Sequence, residues 1–441
     1  LTIREEIINA VKLAGVVGAG GAGFPTHVKL SAKCDVVIAN AAECEPLLVN
    51  NQELIKCCVD VIIDGLRLAM EATDAKKGIF AIKRKQQENL ISINKEIEKD
   101  ARLSIFLLDD FYPAGDEHVL VHDVLGCTIP EAGIPLDINV VVQNVETLYN
   151  ISQAVNRINL TEKYVTVHGA VKNPVTVKIP VGTHFEKLLD IAGGTTIGEY
   201  LLIDGGPMMG KTVSPDDAVT KTTAGLLVIP AGTYPWLSKK TNLHVQIIRA
   251  KSACCQCREC TDLCPRYLLG HTLEPHKIMR GIANGISDLS LLKMALICCE
   301  CGLCDLTCPM GLNPKAINVE IKKTLQQNKV VYDKRPVERH MKERAWRKFP
   351  TRKLLARIGL EPYAVKHAEL FEEPYNIDEV TLLLKQHIGV PVSPIVKKGQ
   401  KVSKGELIGT IPEGQLGANL HASIDGWVVE VEQEHIKISN R

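Results

Sequence analysis

Residues 254–265 read CCQCRECTDLCP, and residues 298–309 read CCECGLCDLTCP. Each run carries the spacing C-x2-C-x2-C-x3-C-P. Cys254, Cys257, Cys260, Cys264 and Pro265 return 44 residues later as Cys298, Cys301, Cys304, Cys308 and Pro309. Three thiolates spaced by two residues wrap a compact loop around one face of an iron–sulfur cube. The fourth, at the start of the next element, points away and in two-cluster ferredoxins ligates the other cluster. The spacing therefore assigns Cys254, Cys257, Cys260 and Cys308 to one [4Fe–4S] cluster, and Cys298, Cys301, Cys304 and Cys264 to a second. Paired zinc sites are the competing reading. Zinc ligands, however, usually come as two separated C-x2-4-C pairs, not as four cysteines in one short run ending in proline. Cys255 and Cys299 occupy intervening positions and are expected not to be ligands. The 32 residues between the runs, 266–297, are expected to form helices around the clusters.

Outward from these runs, the chain has 441 residues, which at about 100–200 residues per domain predicts about three domains. Apolar residues make up 45%, charged residues 23%, and mean hydropathy is +0.04, which excludes wholesale disorder. The net charge of +1 excludes a surface built to coat nucleic acid or an acidic membrane. No apolar run approaches the ~18 residues of a transmembrane segment. Leu1-Thr2-Ile3-Arg4-Glu5-Glu6 carries charges where a signal peptide needs an apolar core. Of 15 cysteines, ten lie in the two runs, which points to metal in a cytoplasmic chain and not to a disulfide scaffold. The other five, Cys34, Cys44, Cys57, Cys58 and Cys127, are expected to be small buried apolar residues.

Ile3, Ile7, Ile8 and Val11 fall at helical spacing, and the glycine-rich loop Gly18–Gly23 follows. Residues 35–39 (DVVIA) read as a strand and 52–73 as a long helix. The alternation continues through 78–82, 85–100, 103–108, 117–125, 140–142 and 146–157, which predicts an α/β domain with a largely parallel sheet over residues 1–158. Residues 164–170 and 175–179 then alternate around Lys172-Asn173-Pro174 as a β-hairpin. Thr183 is the expected N-cap of a helix, with Glu186 in its first turn. Strands at 201–204 and 225–229 complete a small β-rich module, 159–235. The cysteine domain covers 245–330 and a basic linker or arm 331–375. Short strands expected at 390–395, 406–411 and 427–432 make an all-β module of 376–441.

Three loops follow strands of the first sheet: Asn40-Ala-Ala-Glu-Cys-Glu-Pro46, Tyr112-Pro-Ala-Gly-Asp-Glu117 and Gln143-Asn-Val-Glu-Thr147. Ligands bind at such carboxyl ends, and with the glycine loop these segments predict one pocket. The glycine loop by itself is a weak signal. It allows backbone N–H groups to approach a phosphate, but it follows a helix, whereas a dinucleotide fingerprint follows a strand.

The stretches GAGGAGFPTHVKL (18–30), NAAECEP (40–46), YPAGDE (112–117) and QNVETL (143–148), with CRECTDLCPRYLLGH (257–271) and HASIDGWV (421–428), resemble one family. It comprises the FMN- and NADH-binding subunit of respiratory complex I, the C subunit of the Rnf electron-transport complex and the cobalamin reductases of propanediol-utilisation microcompartments. The last resemble the chain almost end to end. The resemblance implies a multidomain α/β and α+β protein: a Rossmann-like FMN-binding domain, an SLBB β-grasp module, a two-cluster ferredoxin-like helical domain and a C-terminal barrel-sandwich hybrid. It implies FMN held by Gly18, Gly20, Gly21, Gly23, Lys29, Asn40, Glu43, Tyr112, Gly115, Asp116, Glu117, Asn144 and Thr147, and NADH received at Phe24 and Glu45. Where complex I has arginine and aspartate, this chain has Ala19 and Ala42. The hybrid hairpin Ala422-Ser-Ile-Asp-Gly426 offers no lysine for a biotinyl or lipoyl group.

The implied activity is oxidation of NADH, with electrons passing through FMN and two [4Fe–4S] clusters to a protein partner in a larger complex. Corrin cobalt, a membrane complex or a folate-linked reductase are the acceptors in view, and a microcompartment or a docked position on a membrane complex are the sites in view within the cytoplasm. The alternative is a ferredoxin-like carrier whose first domain has lost flavin and only scaffolds. Residues 333–357 carry ten Lys/Arg against three Asp/Glu. They are either a solvated helical arm packed through Trp346, Phe349 and Leu354, or a docking face for an acidic partner.

Overall fold

Thr2 starts the first helix, α1 (Ile3–Leu13), with a capping box: its hydroxyl accepts from the Glu5 N–H, and its own N–H donates to the Glu5 carboxylate. Ile7 and Val11, one turn apart, are buried and press this helix onto the first domain. Four apolar, β-branched segments form the sheet behind it: β1 (Val36–Ala41), β2 (Lys77–Lys83), β3 (Leu103–Leu108) and β4 (Val140–Asn144). All pairs are parallel, in the order β3-β2-β1-β4. Parallel strands need helical crossovers, supplied by α2 (Asn50–Thr73), α3 (Gln87–Ile97) and α4 (Glu117–Leu125), with α5 (Val145–Val155) leaving β4. Strand order reverses between β1 and β4, so a crevice opens at their carboxyl ends. The structure is a computed structural model and describes every residue except Leu1, Ser287, His340 and Glu372, with all side chains but that of Gln87.

The hairpin β5 (Glu162–Gly169) and β6 (Val175–Pro180) forms as the alternation predicts. Helix α6 (Phe185–Ile191) begins two residues after Thr183, whose hydroxyl donates to the Pro180 carbonyl instead of capping. The expected N-cap is thus a turn residue. Strands β7 (Tyr200–Asp204), β8 (Lys211–Val213) and β9 (Gly225–Pro230) join β5 and β6 in one mixed sheet.

The cysteine domain is helical, and its largest helices, α7 (Leu243–Ala253), α8 (Pro275–Ala283) and α9 (Pro314–Gln327), enclose the two cysteine runs. The C-terminal module holds two small antiparallel sheets, and its first and last strands in the chain, Glu379–Leu383 and His435–Ser439, lie outside the expected segments. Only Ser393–Pro394 of the expected 390–395 strand is extended in a sheet. This module and the β5–β9 sheet share one continuous apolar core, running from Val165 and Leu226 to Val428 and Ile438.

Residues 331–375 are a strap and not a solvated arm. Phe349–Pro350 pairs with Phe111–Tyr112, and Leu370–Phe371 adds a parallel strand to β6. Leu354 is buried and Phe349 half-buried, but Trp346 is 75% exposed. Four of the ten basic residues of 333–357 are turned onto the body. Arg344 meets Asp123 at 2.6 Å, Lys348 meets Asp109 and Asp123 at 3.2 and 3.3 Å, Arg347 meets Asp262 at 3.4 Å and Lys334 meets Asp137 at 2.7 Å. Arg335, Arg339, Lys342, Arg352, Lys353 and Arg357 stay exposed, so the strap still presents a basic face with six of these ten positive charges.

The scattered cysteines also divide. Cys34 is buried and Cys44 and Cys58 are half-buried, but Cys57 and Cys127 are exposed, against expectation.

Candidate functional site: a cleft and two cysteine cages

The crevice at the carboxyl ends of β1 and β4 is a cleft of about 290 Å³. Gly18, Gly20, Phe24, Lys29, Asn40, Glu43, Glu45, Gly115, Glu117, Asn144 and Thr147 all line it. The glycine loop is pinned at both ends: Gly18 N–H donates to the Phe24 carbonyl at 2.9 Å, and Ala19 N–H donates to Thr147 Oγ1 at 2.9 Å. Gly23 takes a left-handed φ of +66°. A Cβ there would come within 2.9 Å of Thr222 and 3.2 Å of His387, so the loop is pressed between the second and last modules. Asn40 Nδ2 donates to the Gly115 carbonyl at 3.0 Å, tying two of the strand-end loops together. Lys29 Nζ bridges the Val142 carbonyl (2.9 Å) and Glu117 (3.1 Å).

The two carboxylates differ in their work. Glu43 accepts the N–H groups of Asn51 and Gln52, at 3.2 and 3.4 Å, and burial nonetheless pushes its pKa up to about 7. Glu45 reaches out of the first domain. Its Oε2 accepts from Met208 N–H at 2.9 Å, and Tyr112 OH lies 3.4 Å from its Oε1. Burial raises its pKa too.

Four of the expected residues are not on the cleft wall. Gly21 is exposed and Gly23 is buried, and neither lines the cleft. Asp116 faces the other way: it caps α4 through Val119 N–H and makes a two-point ion pair with Arg266, at 2.6 and 3.0 Å. Burial alone would raise its pKa, but the Arg266 guanidinium outweighs it and holds the carboxyl below its ordinary range. Tyr112 stands at a corner. Its hydroxyl donates to the backbone carbonyl of Cys301 at 2.8 Å and lies 3.4 Å from Glu45 on the cleft wall, so one side chain stands between the cleft and a cysteine run.

The cysteines gather in two small cages. Cys254, Cys257, Cys260 and Cys308 surround one, with Met279, Met310 and Leu312. Cys264, Cys298, Cys301 and Cys304 surround the other, with Leu273 and Lys315. The fourth cysteine of each run has crossed to the other run's cage. Cys255 and Cys299 also reach the respective cages, and Cys299 lies beside Cys301. The two cages differ in access: Cys264, Cys301 and Cys304 are buried, whereas Cys257 is exposed.

Both sites fit the groups implied for them. Thr26 Oγ1, Asn50 Oδ1, Asn51 Oδ1 and Gln143 Nε2 are buried without a hydrogen-bond partner among the described residues, and all four residues line the cleft. Orphaned polar atoms around a cavity are what a ligand with polar edges would satisfy. In the cages, burial and neighbouring thiolates push Cys260 up to about 12 and Cys298 up to about 11. Crowded thiols such as these, which resist ionisation, need a cationic centre to become ligands.

Thr26, Asn50, Asn51 and Gln143 were not singled out from sequence. Gln143 lies within a quoted motif. Asn50-Asn51 opens the long helix directly after the acidic loop, and that adjacency is the one signal that could have pointed to it.

Family descriptions match the chain in series: Nuo51 FMN-binding domain over residues 11–153, SLBB domain over 164–212, 4Fe-4S dicluster domain over 253–313 and RnfC barrel sandwich hybrid domain over 357–441. These are the four modules of the expected fold class, and they bring FMN and two [4Fe–4S] clusters as cofactors. The match to an FMN-binding domain sets aside the flavin-free carrier. The cobalamin reductase PduS of Citrobacter freundii is 41% identical over 99% of this chain and 96% of its own length. That of Salmonella typhimurium is 40% identical over 98% and 96%. The C subunit of the Na(+)-translocating ferredoxin:NAD(+) oxidoreductase complex of Acetobacterium woodii is 35% identical over 60% of this chain and 58% of its own length. Among the described residues no helix is long and apolar enough to cross a membrane.

Proposed function

The chain belongs to the family of the cobalamin reductase PduS, and on that premise we propose that it takes electrons from NADH at the cleft and passes them by way of the two cages to an acceptor held by a partner protein, with corrin cobalt as the favoured acceptor. It is an oxidoreductase of the NADH-linked flavo-iron–sulfur class. When bound, FMN accepts the two electrons of a hydride together and releases them singly to iron–sulfur clusters. The chain's own residues bind and orient. Backbone N–H groups at Gly20 and Ala22, on the cleft wall, would face the phosphate, and Asn50, Asn51 and Gln143 would satisfy the polar edges of the ring. Phe24 and Glu45 would receive the nicotinamide nucleotide.

The observation that carries this reading is the contact of Tyr112 OH with the Cys301 carbonyl, at 2.8 Å. A cleft and a cage separated by one side chain, which also touches the cleft residue Glu45, are suited to exchange between them. The buried Cys301 cage is then the entry, and the Cys254 cage, with exposed Cys257, is the exit toward a partner. A folate-linked reductase or a membrane complex are the other acceptors compatible with that exit. Thiolate cages require reducing surroundings, so the reading places the chain in the cytoplasm, free, within a microcompartment or docked on a membrane complex.

Cys308→Ala tests it. About eight irons per chain are expected in the parent, and about four should remain in the variant. NADH should still bleach the flavin, while reduction of added cob(III)alamin should fall to background. Full iron content, or corrin reduction at the parent rate, would defeat both the crossed ligation and the exit.

A further inference from the structure

Adjacent residues of a regular helix point about 100° apart, so neighbouring cysteines in a helix do not meet. Cys57 and Cys58 lie within α2 and do meet. Their Sγ atoms are 2.7 Å apart, well inside the ~3.5–4.0 Å of ordinary heavy-atom contact. The cause is in the backbone: Cys58 leaves the helical region, with φ −140° and ψ 34°, and α2 kinks there. Residues on either side resume the helix. The break swings the second side chain beside the first, and Cys57 is exposed while Cys58 is half-buried.

We propose that Cys57 and Cys58 form a redox-active vicinal pair that closes to a disulfide by exchange with a low-molecular-weight disulfide of the glutathione class. Cys58 is the attacking group. The Cys57 S–H donates to it, Tyr164 and Lys178 assist, and together they outweigh burial and bring its pKa down to about 7. A large share of Cys58 is therefore thiolate at neutral pH. That thiolate attacks one sulfur of the small disulfide, the S–S bond breaks, and one small thiolate leaves and takes a proton from water. Cys57 then gives up its proton and attacks the Cys58 sulfur of the mixed disulfide, expelling the second small thiol. Two protein thiols are oxidised by two electrons, and one small disulfide is reduced to two thiols.

Adjacent α-carbons are closer than the ~4.4–6.8 Å usual for a disulfide, so the ring is strained and readily reduced again. Such a bond reports the thiol poise of its surroundings and does not staple the fold.

The test uses the loaded protein under anaerobic conditions, equilibrated with glutathione buffers of graded ratio, quenched with acid and alkylated. Trypsin cuts after Lys56 and Arg67 and releases residues 57–67 with both cysteines. The peptide should carry two alkyl groups at the reducing end and none at the oxidising end, where it should be lighter by two hydrogens. Cys57→Ser should instead hold glutathione on Cys58, as a lone exposed thiol such as Cys127 would. A parent peptide that takes two alkyl groups at every ratio would overturn the proposal, and so would one that accumulates the glutathione adduct without closing the ring.

Discussion

Asp116→Asn isolates the electrostatic joint between the flavin domain and the cysteine domain. Asn is a good N-cap and keeps the hydrogen bond to Val119 N–H, so α4 should be undisturbed. What disappears is the charge opposite Arg266, which directly follows Cys264-Pro265 of the inner cage. The side chains of Arg266 and Asp116 are only 9% and 16% exposed. Removing one partner of such a pair costs about 3–5 kcal/mol, because the other charge stays buried and unpaired. Asn still accepts one hydrogen bond from the guanidinium, so the lower figure of about 2–3 kcal/mol applies. At 1.36 kcal/mol per decade this is about 30- to 150-fold faster local opening. The amides of Leu269 and His271, which donate to the carbonyls of Pro265 and Arg266, report it by hydrogen exchange. Amides of β1 should keep their protection. The folded carboxyl lies below its ordinary pKa, so its contribution is complete above about pH 4 and is lost as pH falls through the lowered value. The gap between parent and variant should therefore close in acid. Less than threefold acceleration at Leu269 and His271, or equal acceleration in β1, would refute the joint.

Glu45→Gln keeps an acceptor for Met208 N–H but removes the charge beside the cleft. Loss of one charge-assisted hydrogen bond, about 1.5–3 kcal/mol, should slow flavin reduction by NADH ~10–150-fold in rapid mixing with FMN content unchanged, and unaltered kinetics would take Glu45 out of the nucleotide site. Glu43, with its folded pKa raised to about 7, should make the cofactor-free protein less stable as pH rises from about 4.5 through 7, because the unfolded chain ionises first. Glu43→Gln should flatten that slope in denaturant melts, and a slope identical to the parent's would locate the titration elsewhere.

Some of this protein was legible at the level of short stretches. The spacing of eight cysteines decides which thiols face a common centre, because a turn of three or four residues has little freedom in where it points its side chains. Strand–helix alternation decides the parallel sheet, since each apolar run can be buried on both faces only between helices. Other features depend on residues that are far apart in the chain. Asp116 looks like a cleft residue beside Gly115, yet it serves Arg266, 150 residues away. Lys334, Arg344, Arg347 and Lys348 of the basic strap look like free charges until Asp109, Asp123, Asp137 and Asp262 are brought against them. Thr183 is an equally good cap or turn residue in isolation, and the Pro180 carbonyl decides which. Asn50 and Asn51 open a helix like many others, and only the apposed strand ends leave their amides without partners. The contact of Cys57 with Cys58 needs a single backbone break that no periodicity announces. Local spacing determines what a short turn can hold. Charge pairing, orphaned polar atoms and backbone breaks are settled by which distant surfaces come to exclude water from them, and that is a property of the packed chain.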